Sequence, residues 1–295
     1  MLKIKDAILL FRPKQWAKNT FVFLPIFFSG HLFDPKYLTP SILAFISFCL
    51  ISSSIYCYND IHDAPNDRLH PVKKNRPIAS NRVSSAEAYV LMSLLMALSL
   101  IPLSILPPPA INSLSCVLIG YFILNIFYCL RLKHIAIVDV FIIAIGFVLR
   151  LFAGSFATGI ELSKWIVLMT FLLALFLAFA KRRDDVVSYE NTGILTRRNI
   201  NKYNLQFMNQ SLTVIAAVVL VSYIMYTVSP EVEARFNSNM VYLTSIFVLA
   251  GIIRYLQISI VDLKSGSPTK ILYSDKFIQI CIGLWVLSFL CLLYQ

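Results

Sequence analysis

The sequence has little charge: Asp, Glu, Lys and Arg make up only 14% of its 295 residues, and 58% are hydrophobic. A soluble globular domain carries roughly 25% charged and 45–50% apolar residues, so this composition excludes one. Charge is missing altogether from four long runs, which are 37–59, 88–130, 203–230 and 277–295. Each run is long enough for a helix to cross the hydrocarbon core of a membrane, which takes roughly 18–20 residues. The composition therefore predicts an all-α, polytopic membrane protein.

Metal-binding and targeting patterns are also missing. The six cysteines form no Cys-x-x-Cys motif and no cluster with the four histidines, so the sequence indicates neither a zinc site nor a disulfide framework. The N-terminal stretch is charged and lacks the apolar core of a signal peptide, so we expect no cleaved leader. No repeat, low-complexity tract or long linker divides the chain. The sequence therefore predicts a single transmembrane domain over 1–295.

Apolar runs and their Pro, Gly or charged boundaries predict about nine membrane-spanning helices. These lie near 16–33, 39–59, 85–106, 110–130, 135–155, 161–180, 204–228, 238–256 and 275–294. With the N-terminus in the cytoplasm, all but four of the 26 lysines and arginines fall in cytoplasmic segments, the exceptions being Lys36, Arg150, Lys164 and Arg235. Cytoplasmic loops are enriched in Lys and Arg, so this bias predicts a cytoplasmic N-terminus and an external C-terminus. It also explains the net charge of +11 without a nucleic-acid partner.

An acidic cluster follows the second predicted helix. If the helix continues, Asn59, Asp63 and Asp67 are spaced four residues apart on one face, and Asp60 borders that face. Like charges at this spacing repel one another unless a cation lies among them. Oxygen ligands of this kind suit Mg²⁺, which completes its shell with water and phosphate oxygens. The alternative is a solvated acidic loop, which Pro65 mildly favours because proline disturbs a helix interior.

Three basic segments accompany this cluster on the predicted cytoplasmic side. Lys73 and Arg76 follow the aspartates, and cations beside carboxylates are typical of a site where a metal and basic side chains share a phosphate group. The other two segments are Lys181-Arg182-Arg183-Asp184-Asp185 and Arg12-Pro13-Lys14-Gln15-Trp16-Ala17-Lys18-Asn19. Together they predict a diphosphate site with its metal, within the cytoplasmic active-site loops 59–84 and 181–203. For any single basic residue, the alternative is a topological signal or attraction to anionic lipid.

The motif Asn59-Asp60-x-x-Asp63-x-x-x-Asp67 followed by Arg76-Pro77-Ile78 resembles the first aspartate motif of the UbiA superfamily of membrane prenyltransferases. The nine predicted helices agree with that fold. The family commonly has a second motif, DxxxD, at the end of helix 6, where it helps prenyl-diphosphate users hold a second magnesium. Here Ser188 and Tyr189 stand four residues after Asp184 and Asp185, so the motif is missing.

The missing motif indicates the branch of the family that resembles decaprenyl-phosphate phosphoribosyltransferases. The matching residues are Arg12-Pro13-Lys14-Gln15-Trp16, Lys18-Asn19, Asp67 through His70-Pro71 to Ala79, Arg131-Leu132-Lys133, Asp139, Arg150, Ala153-Gly154, Lys181-Arg182 and Arg254-Tyr255. This resemblance implies Mg²⁺-dependent transfer of a 5-phosphoribosyl group from phosphoribosyl diphosphate (PRPP) to a polyprenyl phosphate. Pyrophosphate would be released, and the product would serve cell-envelope glycan synthesis.

The resemblance also implies roles for individual residues. Asn59, Asp63 and Asp67 would hold Mg²⁺, with Asp60 as a further ligand. The expected catalytic residues are Asp63, Asp67, Arg182 and Asp185, and the expected substrate-binding residues are Lys14, Lys18, Asn19, Lys73, Arg76, Arg131, Lys133, Asp139, Arg150 and Lys181. Asp185 would bond a ribose hydroxyl or pair with Arg182 or Lys181. Charges within membrane segments, such as Asp139 and Arg150, are costly and indicate function.

Two other functions compete with this one. An aromatic prenyltransferase would move a prenyl group from its diphosphate to a hydroxybenzoate or quinone precursor, and the missing DxxxD counts against it. A transporter with an acidic cation site would place its charges at the membrane midplane rather than at helix ends. We expect a location in the inner membrane of a bacterium with the site facing the cytoplasm. Nothing in the sequence demands an oligomer.

Overall fold

A computed structural model describes residues 3–69, 72–193, 199–263 and 268–293, and all regular secondary structure within these ranges is helical. The α-helices are α1 (Ile4–Phe11), α2 (Leu24–Phe28), α3 (Pro35–Asp67), α4 (Ser85–Leu98), α5 (Pro108–Leu130), α6 (Val138–Thr158), α7 (Lys164–Thr192), α8 (Leu205–Thr227), α9 (Pro230–Phe236), α10 (Ser245–Ile260), α11 (Pro268–Ser274) and α12 (Lys276–Leu293). Six 3₁₀ segments connect them, at Pro13–Phe23, Lys73–Asn75, Pro102–Ile105, Leu132–His134, Ile200–Lys202 and Val241–Thr244.

Eight helices in the described part of the chain are long and apolar enough to cross a membrane. They are Pro35–Asp67, Ser85–Ile105, Pro108–Leu130, Val138–Thr158, Lys164–Thr192, Leu205–Thr227, Val241–Ile260 and Lys276–Leu293. The prediction of an all-α, polytopic membrane protein is confirmed. The prediction of one continuous helix over 16–33 differs from the structure, which has the 3₁₀ segment Pro13–Phe23 followed by the short helix α2. Pro25 lacks an N–H donor and lies at the start of α2, where a helix tolerates it best.

Two spanning helices continue past their predicted ends. Helix α3 runs to Asp67 with Pro65 in its last turn, so the acidic cluster is helical and is not a solvated loop. Helix α7 runs to Thr192, where Gly193 adopts the left-handed conformation (φ = 67°) and its N–H caps the carbonyl of Tyr189. The first parts of the predicted loops 59–84 and 181–203 are therefore helical. Residues 70, 71 and 194–198 of these loops lie outside the described residues.

The chain divides into two compact units. The first contains Met1–Lys133 and Gly146–Leu162, and the second contains His134–Ile145 and Ser163–Gln295. The core of the first unit joins Val22 to Phe48 of α3, Leu114 and Leu118 of α5, and Ala153 of α6. The sequence predicts that residues 1–295 form a single domain. The division into two units does not test whether they work as one domain, so this stays a prediction.

In the second unit, α7 packs against α8, and α10 packs against α12. One aromatic pair joins α7 to α10, and another lies within α12. The ring of Phe176 on α7 meets Tyr255 edge-on at 5.4 Å, and Trp285 and Phe289 of α12 lie 4.9 Å apart. Such pairs stabilise a core by roughly 0.5–1.5 kcal/mol beyond the area they bury.

Candidate functional site

The four acidic-cluster residues occupy the last turns of α3. Asp60 and Asp67 are buried, while Asn59 and Asp63 are partly exposed. The side-chain amide of Asn59 donates to Oδ2 of Asp63 at 3.0 Å, as expected for residues four apart on one helix face. The helical spacing predicted from the sequence is therefore present.

Each of the three carboxylates, those of Asp60, Asp63 and Asp67, forms an ion pair with a basic side chain. Arg76 Nη1 lies 3.1 Å from Asp60 Oδ1 and 2.6 Å from Asp67 Oδ2, so one guanidinium bridges two of them. Arg12 makes a second short ion pair with Asp60. Arg76 was predicted from the sequence, whereas the role of Arg12 was not. Arg12 ends α1 in a left-handed conformation (φ = 51°), and no local sequence signal predicts that backbone or its partner 48 residues away.

Lys133 pairs with Asp63 across 70 residues of sequence. Its side chain is buried, at 7% exposure, because the 3₁₀ segment Leu132–His134 turns it toward α3. Cys129, at the end of α5, donates to the side-chain oxygen of Asn59 at 3.3 Å. The structure thus joins the predicted residues Asn59, Asp63 and Lys133 in one network.

The acidic cluster offers the oxygen ligands of a Mg²⁺ site. Its donor set consists of three carboxylates and one amide oxygen, which is the oxygen chemistry that Mg²⁺ prefers. Within the described ranges, no group of three or more His, Cys, Asp or Glu side chains is placed to hold a metal ion. The carboxylates point instead to Arg12, Arg76 and Lys133. The donor chemistry fits the ion, and binding would require these cations to release carboxylate oxygens.

The N-terminal 3₁₀ segment, Pro13–Phe23, carries three further predicted residues. Lys14 is exposed, Lys18 is partly buried and Asn19 is buried. Burial, reinforced by the nearby guanidiniums of Arg150 and Arg12, lowers the pKa of Lys18 from its ordinary 10.5 to about 8. Lys18 is therefore mostly protonated at pH 7, but it loses its proton at a lower pH than an ordinary lysine does.

Arg150 of α6 is buried in the first unit with 4% exposure. Its three guanidinium nitrogens donate to Asn19 Oδ1 at 2.8 Å, to the Gly146 carbonyl at 2.6 Å and to the Tyr121 hydroxyl at 2.8 Å. The guanidinium carbon lies about 5 Å from three aromatic ring centroids, those of Phe48, Tyr121 and Phe147. No carboxylate among the described residues pairs with it, so aromatic faces and neutral acceptors stabilise its charge.

A second ionic cluster lies in the second unit. Arg182 Nε donates to Asp139 Oδ2 at 2.5 Å, and Nη1 donates to Asp185 Oδ2 at 2.6 Å. Asp139 and Arg182 are almost completely buried, whereas Asp185 is partly exposed. The structure brings together these three predicted residues, and it pairs Asp185 with Arg182, which was one of its two predicted roles.

Tyr203 completes this cluster, and sequence reasoning missed it. Its hydroxyl accepts from the backbone N–H of Ile137 at 2.6 Å and lies 3.4 Å from Asp139 Oδ1. Burial is the largest cause that raises the pKa of Tyr203 above its ordinary value of 10, so the phenol stays protonated. A single tyrosine 64 residues away carries no pattern that would connect it to Asp139.

Arg183 is the other buried arginine of α7, and it was not among the predicted site residues. It donates to Asn209 Oδ1 at 2.6 Å and to the backbone carbonyl of Ser259, which joins α7 to α8 and α10. Arg183 therefore links helices through neutral acceptors, whereas its neighbour Arg182 pairs with two carboxylates. Of the remaining predicted residues, Arg131 is exposed, and Lys73 and Lys181 are partly exposed.

Comparison with known proteins gives consistent results. The sequence profile of the UbiA prenyltransferase family matches residues 20–292. A decaprenyl-phosphate phosphoribosyltransferase of Corynebacterium glutamicum is 32% identical over 96% of this chain and 85% of its own length. Its counterpart in Mycolicibacterium smegmatis is also 32% identical, over 96% of this chain and 91% of its own.

A solved UbiA homologue from Archaeoglobus fulgidus, bound to DMAPP and Mg²⁺, has a similar fold. The TM-score is 0.71 over 98% of this chain and 99% of that one, at 19% sequence identity. At this identity the likeness concerns the fold alone.

Proposed function

The chain belongs to the UbiA prenyltransferase family, as a membrane transferase of its decaprenyl-phosphate phosphoribosyltransferase-like branch, and we propose that it transfers the 5-phosphoribosyl group of PRPP to a polyprenyl phosphate. Pyrophosphate is the second product. The similarity over nearly the whole chain to two phosphoribosyltransferases supports this choice. A product of this kind suits the synthesis of cell-envelope glycans.

The observation that carries the choice of donor is the pairing of Arg182. Where prenyl-diphosphate users of the family commonly have two aspartates for a second magnesium, this chain has a buried arginine between Asp139 and Asp185. A carboxylate that holds a completely buried guanidinium is a poor ligand for a second metal, because metal binding would leave the buried arginine unpaired. Arg182 is only 1% exposed, whereas Arg12 and Arg76, which pair with the acidic cluster, are 25% and 27% exposed and can release their carboxylates. This arrangement favours PRPP over a prenyl diphosphate.

The reaction breaks the bond between C1 of the ribose and the diphosphate oxygen, and it forms a bond from C1 to an oxygen of the lipid phosphate. The bonding electrons leave with pyrophosphate, and C1 passes through a state similar to an oxocarbenium ion. The attacking phosphate oxygen is already anionic, so no general base is required. The main requirement is positive charge at the leaving group, where it stabilises the transition state.

In this mechanism, the first unit binds the diphosphate. Asn59, Asp63 and Asp67, with Asp60 as a further ligand, would hold Mg²⁺. When bound, the ion would neutralise charge that develops on the leaving diphosphate. Arg76 and Lys73 bind the diphosphate oxygens, and Arg76 moves from carboxylate to phosphate as substrate enters. Lys133 orients Asp63 through their ion pair.

The remaining basic residues bind the other two phosphate groups. Lys14 and Lys18, on the N-terminal 3₁₀ segment, would bind either the ribose 5-phosphate or the lipid phosphate. The same role is proposed for Arg131 in the first unit and for Lys181 in the second. In the second unit, Arg182 orients the partly exposed carboxylate of Asp185 toward a ribose hydroxyl. Asp139 holds Arg182 in place by their ion pair, and the hydroxyl of Tyr203 donates to Asp139.

The protein is a multi-pass membrane protein with eight apolar helices in its described part. We further propose that it lies in the inner membrane of a bacterium with the acidic cluster facing the cytoplasm. The distribution of Lys and Arg along the sequence supports this orientation. PRPP is a water-soluble cytoplasmic metabolite, so this side gives it direct access.

The test uses purified protein in detergent with Mg²⁺, radiolabelled PRPP and a polyprenyl phosphate, beside a second mixture of prenyl diphosphate and 4-hydroxybenzoate. We expect labelled lipid in the first mixture only. Asp63→Ala should abolish it. Asp34→Asn is the matched control, since Asp34 caps the opposite end of α3 and the amide retains a capping oxygen. Product in the second mixture only would identify an aromatic prenyltransferase and refute the proposal.

A further inference from the structure

The N-terminal 3₁₀ segment is bound to α3 by polar contacts. Trp16 Nε1 donates to Ser53 Oγ at 3.0 Å, and the amide of Asn19 donates to Ser52 Oγ at 3.3 Å and to Cys49 Sγ at 3.2 Å. A 3₁₀ run of eleven residues is unusual, because this helix has poor hydrogen-bond geometry and rarely exceeds one turn. Tertiary contacts must therefore stabilise it.

Helix α6 provides the contacts on the other side of the segment. Phe147, Arg150 and Gly154 lie on one face of α6, at intervals of three and four residues. The ring of Phe147 packs edge-on against that of Phe21, with the ring centroids 4.9 Å apart, and Arg150 donates to the side-chain oxygen of Asn19. A Cβ atom built on Gly154 would lie 1.9 Å from the carbonyl oxygen of Val22. Only glycine at 154 permits the backbone of the segment to approach this closely.

The two contacts determine different features of the segment. All three guanidinium nitrogens of Arg150 donate hydrogen bonds within the protein. These bonds fix the guanidinium, which therefore holds the side chain of Asn19 in one orientation. Gly154 sets how closely the segment approaches α6. Lys18 immediately precedes Asn19, and Lys14 lies about one turn earlier, so both lysines move with the segment.

We propose that Arg150 and Gly154 are positioning residues, which hold the N-terminal 3₁₀ segment so that Lys14 and Lys18 meet a phosphate group of a substrate. Arg150 therefore acts through Asn19 rather than by touching substrate. The inference rests on the proposed function for the identity of that substrate, which is PRPP or the polyprenyl phosphate. The buried position of Arg150 and its effect on Lys18 support it.

The kinetic test compares Arg150→Lys and Gly154→Ala with the wild-type enzyme, with KM measured for both substrates. A displacement of about 1 Å in a positioned group costs roughly 100-fold in rate at low substrate concentration, so we expect KM to rise roughly 10- to 100-fold. The affected substrate should be the one whose KM rises in Lys18→Ala. Unchanged KM for both substrates would refute the proposal, as would an equal rise for both.

The chain offers a matched control for each variant. Arg183→Lys changes a buried arginine that also binds an asparagine oxygen and a backbone carbonyl. Gly120→Ala changes a glycine of α5 in the same unit as Gly154, and its new Cβ would meet no atom within 4 Å. Arg183→Lys should lower thermal stability and the yield of active enzyme without changing KM. A similar KM in Arg183→Lys and Arg150→Lys would indicate general loosening and contradict a positioning role.

A second readout does not depend on activity. In a background with Trp165→Phe and Trp285→Phe, Trp16 is the single tryptophan and reports on the segment directly. Its emission should shift to the red and its quenching by acrylamide should increase in Arg150→Lys and Gly154→Ala, but not in the controls. If the wild-type protein transferred no phosphoribosyl group, the proposed function would be wrong. The Trp16 fluorescence would still show whether Arg150 and Gly154 hold the N-terminal 3₁₀ segment in place. Unaltered Trp16 emission in both variants would overturn it.

Discussion

The buried pair of Arg182 and Asp139 allows a quantitative prediction. Both side chains are almost inaccessible to solvent, at 1% and 0% exposure. Removal of one partner from such a pair typically costs about 3–5 kcal/mol, because the other charge remains buried without compensation. We therefore expect Arg182→Met to destabilise the protein by about that amount and to abolish phosphoribosyl transfer.

The double variant Arg182→Met/Asp139→Asn measures the interaction between the two residues apart from their other contacts. It removes both charges and keeps an acceptor for Tyr203. Two independent losses would add to about 6–10 kcal/mol, whereas the double variant leaves neither member of the pair as an unpaired buried charge, so its loss should be well below that sum. We expect the double variant to be no less stable than Arg182→Met alone. Its activity should stay lost, because Asp185 has lost the guanidinium that orients it.

The assay is unfolding by SDS in mixed micelles, followed by tryptophan fluorescence and circular dichroism. Phosphoribosyl transfer is measured on the same preparations. Fully additive destabilisation would refute the argument that Asp139 serves to hold Arg182. Recovery of activity in the double variant would refute the role given to Arg182 in orienting Asp185.

Three other predictions concern pH, metal and a peripheral ion pair. Because the pKa of Lys18 is about 8 in the free protein, KM for the substrate that Lys18 binds should be constant below pH 8 and rise about tenfold per pH unit above it. Steady-state kinetics of Lys18→Arg should show no such rise. A wild-type KM that does not change with pH would contradict the role of Lys18 in binding a phosphate group. Treatment with EDTA should reduce transfer roughly 100-fold or more, with recovery on addition of Mg²⁺, and full activity in EDTA would exclude a metal role. Hydrogen bonding from Arg254 is the main cause that lowers the pKa of Asp275 below 3.8, so Asp275→Asn should lower the melting temperature slightly at pH 7 and leave activity unchanged. That difference should vanish as the pH falls below 3.8 through the folded-state pKa of Asp275, and an equal difference at pH 3 would show that the charge is irrelevant.

Composition and local spacing were sufficient to predict part of this structure. A membrane helix depends on the apolarity of its own residues, so the spanning helices could be located from composition. The alignment of Asn59, Asp63 and Asp67 depends only on the period of an α-helix, and the structure has it. The same period placed Arg182 and Asp185, three residues apart, within reach of each other.

Contacts between distant segments could not be predicted in the same way. The pairs Arg12–Asp60, Arg150–Asn19 and Tyr203–Asp139 join residues separated by 48 to 131 positions, and no local pattern encodes them. The 3₁₀ form of Pro13–Phe23 is another example. Its own sequence permits an α-helix, and the close approach at Gly154 belongs to a different part of the chain. Packing decides such features, which is why tertiary context overrides local propensity.

The most direct test of the central claim is mass spectrometry of the lipid formed from PRPP and a polyprenyl phosphate by the purified protein, with pyrophosphate measured in the same reaction. The proposed function predicts a lipid whose mass equals that of the acceptor plus one phosphoribosyl group, with one pyrophosphate released per lipid formed. An unchanged acceptor, together with a prenylated aromatic product when prenyl diphosphate and 4-hydroxybenzoate are supplied, would contradict it.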